Sequence, residues 1–486
     1  RYAAGVRGAK VVIKRLMLSD LIEGLTGWHP AGLEMPAEPV IDSRNARPGS
    51  VFFAFPGEHV DGHDYVADAL NRGAIAAVIE HDVAVEADRI DVTDPTPPAQ
   101  ALSAPLLIRV PEVLTALQDA ARWWRQKLDA RVIGVTGSVG KTTTKEVTAR
   151  VLGRRYQVLR NPGSFNNEIG LPLTLLTTDG ACERLVLEMG MYVPGDIRFL
   201  AGIAEPHVGV VTNVEPVHAE RAGGLETIAR GKRELVEALP PAPEGVAILN
   251  CDDARVRPMA AHTEARPFFY GLSPEADLWA DGVRSLGLEG VALRLHHQRA
   301  FWDVTAPLLG RHNAYTVLRA AAVALNEGLE WEEIVAGLSE PGPQLRLVTI
   351  EGPNDILIID DTYNSSPPSA IAALDLLEDL EGRKIAVLGD MLELGDYERA
   401  GHEEVGCRAA DVAAELVVVG ELGALIGEGA RRCGLDPDHI HGVPDGDAAI
   451  SRLDGILDPG DVVLVKGSHA VGMDWIVDAL RKDGET

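Results

Sequence analysis

The stretch "GVTGSVGKTTTKE" at residues 134–146 decides the fold. It follows the β-branched run "VIGV" and opens a segment with apolar residues at helical spacing, which predicts a turn between a strand and a helix. A glycine-rich turn there presents backbone N–H groups at a helix N-terminus, an arrangement that binds phosphate. In such a loop Lys141 reaches the β- and γ-phosphates of a nucleotide, and the Thr142 hydroxyl ligates Mg²⁺.

The loop departs from the strict phosphate-loop pattern, which has glycine at the position of Val135. The alternative interpretation is an unrelated strand–turn–helix corner that contains Gly-Lys-Thr by chance. The phosphate loop is favoured because the lysine directly follows a glycine turn and is itself followed by three threonines. This interpretation assigns nucleotide contacts to consecutive residues: Gly137, Ser138, Val139, Gly140, Lys141, Thr142 and Thr143.

Short apolar runs alternate with helical segments around this loop. The runs "RVIGVTG", "RLVLEMG", "HVGVVTN" and "GVAILN" predict strands of a parallel sheet covered by helices. Beyond "PGP" at 341–343, the runs "DILIIDD", "KIAVLGD", "AELVVVGE" and "DVVLVKGS" predict a second, Rossmann-like unit. The sequence therefore predicts an α/β protein with three domains, at residues 1–128, 129–341 and 342–486.

Composition excludes several classes of protein. The formal net charge of −28 argues against a nucleic-acid partner, because binding phosphate backbones requires a basic surface. No run of apolar residues is long enough for a membrane span. The four cysteines, Cys182, Cys251, Cys407 and Cys433, are far apart in sequence, which predicts reduced thiols and a cytoplasmic protein rather than a disulfide framework.

Several motifs, in order along nearly the whole chain, resemble the Mur ligases of peptidoglycan synthesis. They are "DSRNARPGSVFFAF" from residue 42, "NPGSFNNEIGLPLTLL" from 161, "GRHNAYTVLRAAAVA" from 310, "DDTYNSSPPSAIAAL" from 360, "VLGDMLELG" from 387 and "VLVKGS" from 463. The family's phosphate loop, T-G-[ST]-x-G-K-T-[ST], matches residues 136–143 and lacks the first glycine. The resemblance therefore accounts for Val135.

This resemblance implies an ATP-dependent amide ligase that converts a carboxylate into an acyl phosphate and delivers an amine to it. The chain is most similar to the member that joins D-alanyl-D-alanine to UDP-N-acetylmuramoyl-tripeptide, and a monomer is implied. The first domain would bind the UDP-sugar substrate, the second ATP, and the third the dipeptide while closing on ATP.

Three alternatives remain open at this point. Two are the tripeptide-forming Mur ligase and the folate-polyglutamylating relative. "GDMLELG" stands where the former has D-N-P-R, and the latter lacks the N-terminal DSR block. The third is a regulatory nucleotide-binding protein that keeps the scaffold without the chemistry.

Candidate catalytic and metal-binding residues follow the predicted central strands. Glu188 lies in "RLVLEMG", and by pattern alone it is a solvated cap at a strand end; His218 follows "VGVVTN", and by pattern alone it is a structural residue. The resemblance implies that they ligate Mg²⁺ together with Thr142. Lys232 in "IARGKREL" has the pattern of a solvated helix lysine, whereas the resemblance implies a carbamate, made from CO₂, that supports a metal ion. A carbamate requires the neutral amine, which burial favours. The implied catalytic residues are Lys141, His218 and Lys232.

The remaining nucleotide contacts are implied by resemblance. Asn313 in "GRHN" is a good helix N-cap type and matches an asparagine near the adenine. Asp361, at the end of a predicted strand, would face the ribose. Arg346 matches an arginine on the ATP phosphates, although Leu345 stands where many members have glycine.

The implied substrate contacts lie in all three predicted domains. Lys466 would contact the carboxylate of the peptide substrate, with a solvated lysine as the alternative. Ser43 and Arg44 would hold the uridine or diphosphate. Asn166 and Asn167 would contact the sugar-peptide. The dipeptide would be held by Tyr363, Asn364 and Ser365.

Overall fold

The computed structural model describes residues 14–57, 60–94, 96–216, 223–342 and 347–481. Their contacts divide the chain into two compact units. The first unit comprises Arg1–Gly134, Tyr156–Met189 and Phe199–His207, and the second comprises Val135–Arg155, Gly190–Arg198 and Val208–Thr486.

Helices and strands alternate through most of the described residues. The helices are α1 (Leu18–Thr26), α2 (Val66–Asn71), α3 (Val113–Arg125), α4 (Lys141–Leu152), α5 (Gly170–Thr177), α6 (Asp196–Ala204), α7 (Leu225–Glu237), α8 (Ala314–Asn326), α9 (Trp331–Ser339), α10 (Pro367–Asp379), α11 (Glu398–Val412), α12 (Gly423–Arg432), α13 (Gly446–Leu453) and α14 (Asp474–Leu480). The strands are β1 (Glu38–Val40), β2 (Ser50–Phe53), β3 (Ala76–Ile79), β4 (Asp88–Asp91), β5 (Leu106–Arg109), β6 (Arg131–Thr136), β7 (Val158–Arg160), β8 (Arg184–Glu188), β9 (Val208–Val211), β10 (Val246–Asn250), β11 (Arg266–Gly271), β12 (Leu278–Ser285), β13 (Val291–His297), β14 (Ala300–Ala306), β15 (Val348–Glu351), β16 (Leu357–Asp361), β17 (Lys384–Gly389), β18 (Glu415–Val419), β19 (Ile440–Val443) and β20 (Val462–Lys466). None of these helices is long and apolar enough to cross a membrane.

The first unit contains a parallel five-stranded sheet in the order β1-β2-β3-β5-β4. Its strands are short, and Phe52, Ala77, Ile79 and Leu107 of β2, β3 and β5 pack in one buried cluster. Strands β7 and β8 form a further parallel pair within this unit. Helix α3 is fixed by Trp124, whose indole N–H donates to the Thr178 carbonyl at 2.9 Å.

The second unit begins with parallel strands and continues with antiparallel ones. Strands β9, β10, β11 and β12 pair in parallel, and β12, β13 and β14 pair antiparallel. All four central strands expected from the sequence are present as β6, β8, β9 and β10. The antiparallel strands were not expected. Part of β13 shows the alternation of buried and exposed side chains that is typical of antiparallel strands, since Arg294 is exposed between buried Leu293 and Leu295.

The last sheet has the order β15-β16-β20-β17-β18-β19 and is parallel except for the edge strand β15. The four strands expected here are present as β16, β17, β18 and β20. Strands β16 and β20 are neighbours, and Asp361 pairs in register with Lys466 at their carboxyl ends. Ligands of α/β proteins bind at this edge of a sheet.

The cysteines depart from expectation at one pair. Cys407 on α11 and Cys433, directly after α12, form a disulfide across a sequence separation of 26 residues. The prediction of reduced thiols is therefore wrong for these two residues, while Cys182 and Cys251 are free. Sequence spacing did not indicate the pair because two packed helices bring the cysteines together.

Candidate active site

The phosphate loop lies between β6, which ends at Thr136, and α4, which begins at Lys141. Gly137 and Gly140 have φ angles of 147° and 82°, a region that favours glycine. A Cβ atom on Gly137 would lie only 1.7 Å from the Thr212 hydroxyl oxygen. Only glycine fits there, so the strand–glycine–helix geometry expected from the sequence is present.

The segment after β9 holds this loop in place. The Asn213 side-chain oxygen accepts from the Val139 N–H at 2.9 Å, and the Thr212 hydroxyl donates to the Val139 carbonyl at 2.8 Å. Ser138 and Glu215 are joined twice, since the Ser138 hydroxyl donates to the Glu215 carbonyl and accepts from its N–H, both at 2.9 Å. Thr212 and Asn213 were not predicted from the sequence. Polar residues directly after a buried strand are a sequence signal that could have identified them as site residues.

Lys141 lies along the mouth of the loop. Its ammonium donates to the carbonyl of Gly137 at 2.9 Å and to that of Ser138 at 3.1 Å. Thr142 and Thr143 follow in the first turn of α4. The lysine charge and the N–H groups at the start of α4 therefore converge on one position, where an anion is stabilised.

A cavity of about 240 Å³ adjoins the loop within the second unit. Its wall includes six residues assigned from the sequence: Val139, Gly140, Thr143, Asn313, Asp361 and Lys466. It also includes four that the sequence analysis missed: Asn213, His312, Tyr315 and Arg319. The phosphate loop, the start of α8 and the ends of β16 and β20 thus meet at one cavity.

Asn313 is buried directly before α8. Its side-chain oxygen accepts from the Thr316 hydroxyl at 2.9 Å, and its amide donates to the Leu309 carbonyl at 2.7 Å. It occupies the N-cap position, but its side chain makes no capping hydrogen bond to the helix backbone. The N-cap interpretation is wrong in that respect, and these contacts fix the side chain in the cavity wall.

Asp361 and Lys466 form a buried ion pair with a Oδ2–Nζ distance of 2.5 Å. The Lys466 ammonium also donates to the Asn364 carbonyl at 2.8 Å. Lys466 is only 1% exposed, so the alternative of a solvated lysine is wrong. The pair fixes the loop after β16 to the end of β20.

Residues 363–365 continue from this ion pair. Tyr363 is exposed and stacks on the His469 ring, with 6.3 Å between ring centroids. The Asn364 side-chain oxygen accepts from the Ser365 N–H at 2.8 Å, and Ser365 is buried. An exposed aromatic face beside a rigid polar turn provides a surface for a small polar ligand.

Lys232 is buried on α7 and only 4% exposed. The solvated position indicated by its pattern is therefore wrong. It lies one turn after Ile228 and three residues before Leu235, both buried, so it belongs to the apolar face of the helix. Burial, with a contribution from the charge of Lys141, lowers the pKa of Lys232 well below its usual value and favours the neutral amine.

Glu188, in the first unit, is 1% exposed at the end of β8. Its Oε1 accepts from the Asn166 amide at 2.7 Å. Asn161, which the sequence analysis missed, accepts from the Glu188 N–H at 2.9 Å and donates to its carbonyl at 3.2 Å. These contacts hold the carboxylate in a defined position.

Asn167 is exposed and begins the turn before α5. Its side-chain oxygen accepts from the Gly170 N–H at 2.9 Å, which ties it to the first residue of the helix. The two neighbouring asparagines therefore have different local roles: Asn166 contacts Glu188, and Asn167 fixes the helix start.

Ser43 and Arg44 line a separate cavity of about 580 Å³ in the first unit, together with Phe52, Phe55 and Tyr65. Ser43 is buried, whereas the Arg44 guanidinium is exposed and pairs with Asp42 at 2.7 Å. Hydrogen bonds from Arg44 lower the pKa of Asp42. The aromatic wall and the arginine suit a ligand with a planar ring and negative charge.

Two assigned residues, His218 and Arg346, lie outside the described residues.

Three family models match successive segments of the chain. They describe the Mur ligase family catalytic domain at residues 40–124, the Mur ligase middle domain at 135–324 and the Mur ligase glutamate ligase domain at 345–469. The UDP-N-acetylmuramoyl-tripeptide–D-alanyl-D-alanine ligase of Mycobacterium tuberculosis (strain ATCC 25618 / H37Rv) is 38% identical over 470 residues, 91% of each protein. The chain belongs to the Mur ligase family.

Solved structures of Mur ligases share its fold. The crystal structure of MurF from Acinetobacter baumannii has a TM-score of 0.81 and 27% identity, covering 96% of this chain and 98% of that one. MurF from Thermotoga maritima in complex with ADP has a TM-score of 0.76 and 27% identity, with 94% and 98% covered. The three-domain α/β architecture expected from the sequence is thus confirmed as that of a Mur ligase.

Proposed function

We propose that this Mur ligase joins D-alanyl-D-alanine to UDP-N-acetylmuramoyl-tripeptide with hydrolysis of ATP to ADP and phosphate. The product is the UDP-muramoyl-pentapeptide precursor of peptidoglycan. The observation that carries the proposal is the cavity of the second unit, where the phosphate loop, Asn313 and the Asp361–Lys466 pair meet. The full-length match to ligases with this activity supports the same substrates.

ATP fits this cavity with its phosphates on the loop. Backbone N–H groups at the start of α4 and the Lys141 ammonium would receive the phosphates, and the proposal assigns Asn313 to the adenine. The proposal keeps Asp361 at the ribose and Arg346 at the phosphates. The complex of ADP with a relative that shares the whole fold supports nucleotide binding.

The residues assigned to Mg²⁺ are chemically suited to a hard cation. Glu188 is a buried carboxylate with a fixed orientation, and Thr142 carries a hydroxyl in the first turn of α4. We assign the site to these two residues with His218 and Lys232. When bound, the ion would neutralise charge on the transferring phosphoryl group.

Lys232 fits the carbamate that the resemblance implies. Its neutral amine adds to the carbon of CO₂ and releases a proton, which leaves a carboxylate in place of a cation. The buried environment that lowers its pKa supplies the neutral amine for this addition. The proposal therefore includes carbamylated Lys232 as a group that supports the metal.

The reaction proceeds in two transfers. The tripeptide carboxylate attacks the γ-phosphorus of ATP, which breaks the bond to ADP and forms an acyl phosphate. The amine of D-alanyl-D-alanine then attacks the acyl carbon, phosphate leaves with the bonding electrons, and the nitrogen releases a proton to solvent to give the amide. Lys141 stabilises the charge that grows during the first transfer.

Substrate contacts in the proposal come from both units. The UDP-sugar peptide is assigned to Ser43, Arg44, Asn166 and Asn167, and the dipeptide to Tyr363, Asn364, Ser365 and Lys466. We retain the domain limits 1–128, 129–341 and 342–486, a monomer, and a cytoplasmic location, where ATP is available.

Phosphate release tests the proposal directly. Release should require both UDP-N-acetylmuramoyl-tripeptide and D-alanyl-D-alanine in a panel of amines and acids. Dependence on a single amino acid would indicate the tripeptide-forming or folate-type ligase, and no release with any pair would indicate a regulatory protein. With ¹⁸O in the tripeptide carboxylate, label should appear in the released phosphate, and its absence would exclude the acyl phosphate.

A further inference from the structure

Arg319 is a buried arginine in the wall of the nucleotide cavity; it lies within the motif at 310–324, but neither the sequence-based assignments nor the proposed function gives it a role. It lies on α8 and is only 5% exposed. Its Nη1 donates to the Thr144 hydroxyl at 2.9 Å, and its Nε donates to the Tyr270 hydroxyl at 3.1 Å. Thr144 belongs to the first turn of α4, so the guanidinium connects α8 to the helix of the phosphate loop.

The same guanidinium restricts the loop backbone. A Cβ atom on Gly140 would lie 2.9 Å from Arg319 Nη1, so the last glycine of the loop packs directly against it. Tyr270 extends the connection, since its buried hydroxyl donates to the Thr212 carbonyl at 3.1 Å. Thr212 is the residue whose hydroxyl holds Val139. Arg319 therefore bonds directly to the helix of the loop and is connected to the anchoring segment through the Tyr270 hydroxyl.

The charge of Arg319 is not neutralised by these contacts. Both partners are neutral hydroxyls, and in the part of the chain that the structure describes no carboxylate forms an ion pair with this guanidinium. Burial of a charge is costly unless an opposite charge compensates it. A phosphate-bearing ligand is the complementary partner, since guanidinium groups match phosphate well.

We infer that Arg319 is a positioning residue for the nucleotide phosphates. It holds the first turn of α4 and Gly140 in the geometry that receives phosphate, and its charge favours an anion in the cavity. The inference rests on the proposed function in one respect, the binding of a nucleotide at this loop. It adds a second cation, remote in sequence from the loop, to Lys141.

Calorimetric titration of ADP and of adenosine, in buffer with magnesium, separates phosphate positioning from a general structural role. Arg319→Gln keeps hydrogen-bonding capacity and loses the charge, and we expect ADP binding to weaken about tenfold or more. Adenosine binding should change less than about twofold. Arg319→Lys keeps the charge but not the fork of guanidinium donors, so it should bind ADP more weakly than the wild type and more tightly than Arg319→Gln.

Steady-state kinetics provides a second readout. Arg319→Gln should raise KM for ATP while KM for D-alanyl-D-alanine stays unchanged. Equal ADP affinity in Arg319→Gln and wild type, or equal losses for ADP and adenosine, would overturn the inference. If Arg319→Gln does not fold, Arg319→Lys decides, because equal losses of ADP and adenosine affinity in that variant contradict the inference. A wild-type protein that binds no ADP would instead overturn the proposed function, and the inference with it.

Discussion

The ammonium of Lys466 lies 2.5 Å from the carboxylate of Asp361, where β16 and β20 end side by side. Both side chains are buried in the wall of the cavity that also contains the phosphate loop. Attraction within a buried pair offsets the cost of removing two charges from water. Loss of either side chain would therefore leave the other as a buried charge without compensation. The pair therefore couples the stability of the third sheet to the geometry of the cavity.

Removal of one partner should be much more costly than removal of both. We expect Asp361→Asn or Lys466→Met to lower the free energy of unfolding by about 3 kcal/mol, because each leaves one buried charge unpaired. The double variant should lose less than the sum of the two. Urea denaturation of all four proteins measures this coupling, and additive losses would show that the pair does not act as a unit.

Lys141→Ala should abolish turnover while the chain stays folded. The lysine supplies positive charge at the loop, and the loss of such a cation costs about 10²-fold or more in kcat. Circular dichroism should be unchanged, since the Lys141 ammonium donates to carbonyls of its own loop. The exposed Lys127→Ala is the control and should keep full activity. A kcat near that of wild type in Lys141→Ala would remove the lysine from the mechanism.

Much of the fold follows from local sequence signals. Apolar runs bounded by turn residues predicted eight strands, which are β6, β8, β9, β10, β16, β17, β18 and β20. The glycines at 137 and 140 predicted the loop because few other residues adopt their backbone angles. The antiparallel strands β12–β14 were missed, since their exposed faces make the runs look irregular.

The candidate site was less predictable wherever it depends on packing. A lysine taken alone indicates a solvent-exposed position. Its burial at Lys232 could be predicted only from the neighbouring apolar residues on the same helix face, Ile228 and Leu235. Arg319 and Tyr270 reach the loop from α8 and β11, far away in sequence. No spacing rule connects them to Thr144, because tertiary packing alone brings them together.

His402 should make the third domain sensitive to acid. Its buried ring accepts from the Met391 N–H at 3.0 Å and contacts the Glu398 carbonyl at 2.6 Å, which fixes the loop that follows β17. Burial lowers the pKa of His402. Below about pH 6.5 the unfolded chain binds a proton here that the folded chain does not, so stability falls as the pH is lowered.

The measurement compares pH profiles of stability. Between pH 7.5 and 5.5, wild type should lose stability more steeply than His402→Gln, by up to about 1.4 kcal/mol per pH unit for one linked proton. The exposed His262→Gln serves as control and should keep the wild-type slope. Identical slopes for His402→Gln and wild type would show that this imidazole titrates alike in both states.

Lys232 gives the sharpest test of the ligase chemistry, because its neutral amine and its burial support a carbamate. Lys232→Ala should lose activity, since the carboxylate that supports the metal is absent. Short carboxylates such as acetate should restore part of the rate, whereas added amines should not, because the lost group is an anion. Lys232→Arg is the matched control, since it keeps a long side chain at this position but cannot form the carbamate, and it should also lack activity.

Detection of the carbamate itself does not depend on turnover. Wild-type protein in ¹³C-labelled bicarbonate should show a carbamate carbon signal that Lys232→Arg lacks, and removal of CO₂ should abolish the signal and lower the activity together. The amine must be unprotonated to react, so the low pKa imposed by burial should allow the signal to persist at neutral pH. Rescue of Lys232→Ala by amines alone would indicate a cationic role, and full activity in Lys232→Ala would leave the lysine without a catalytic function.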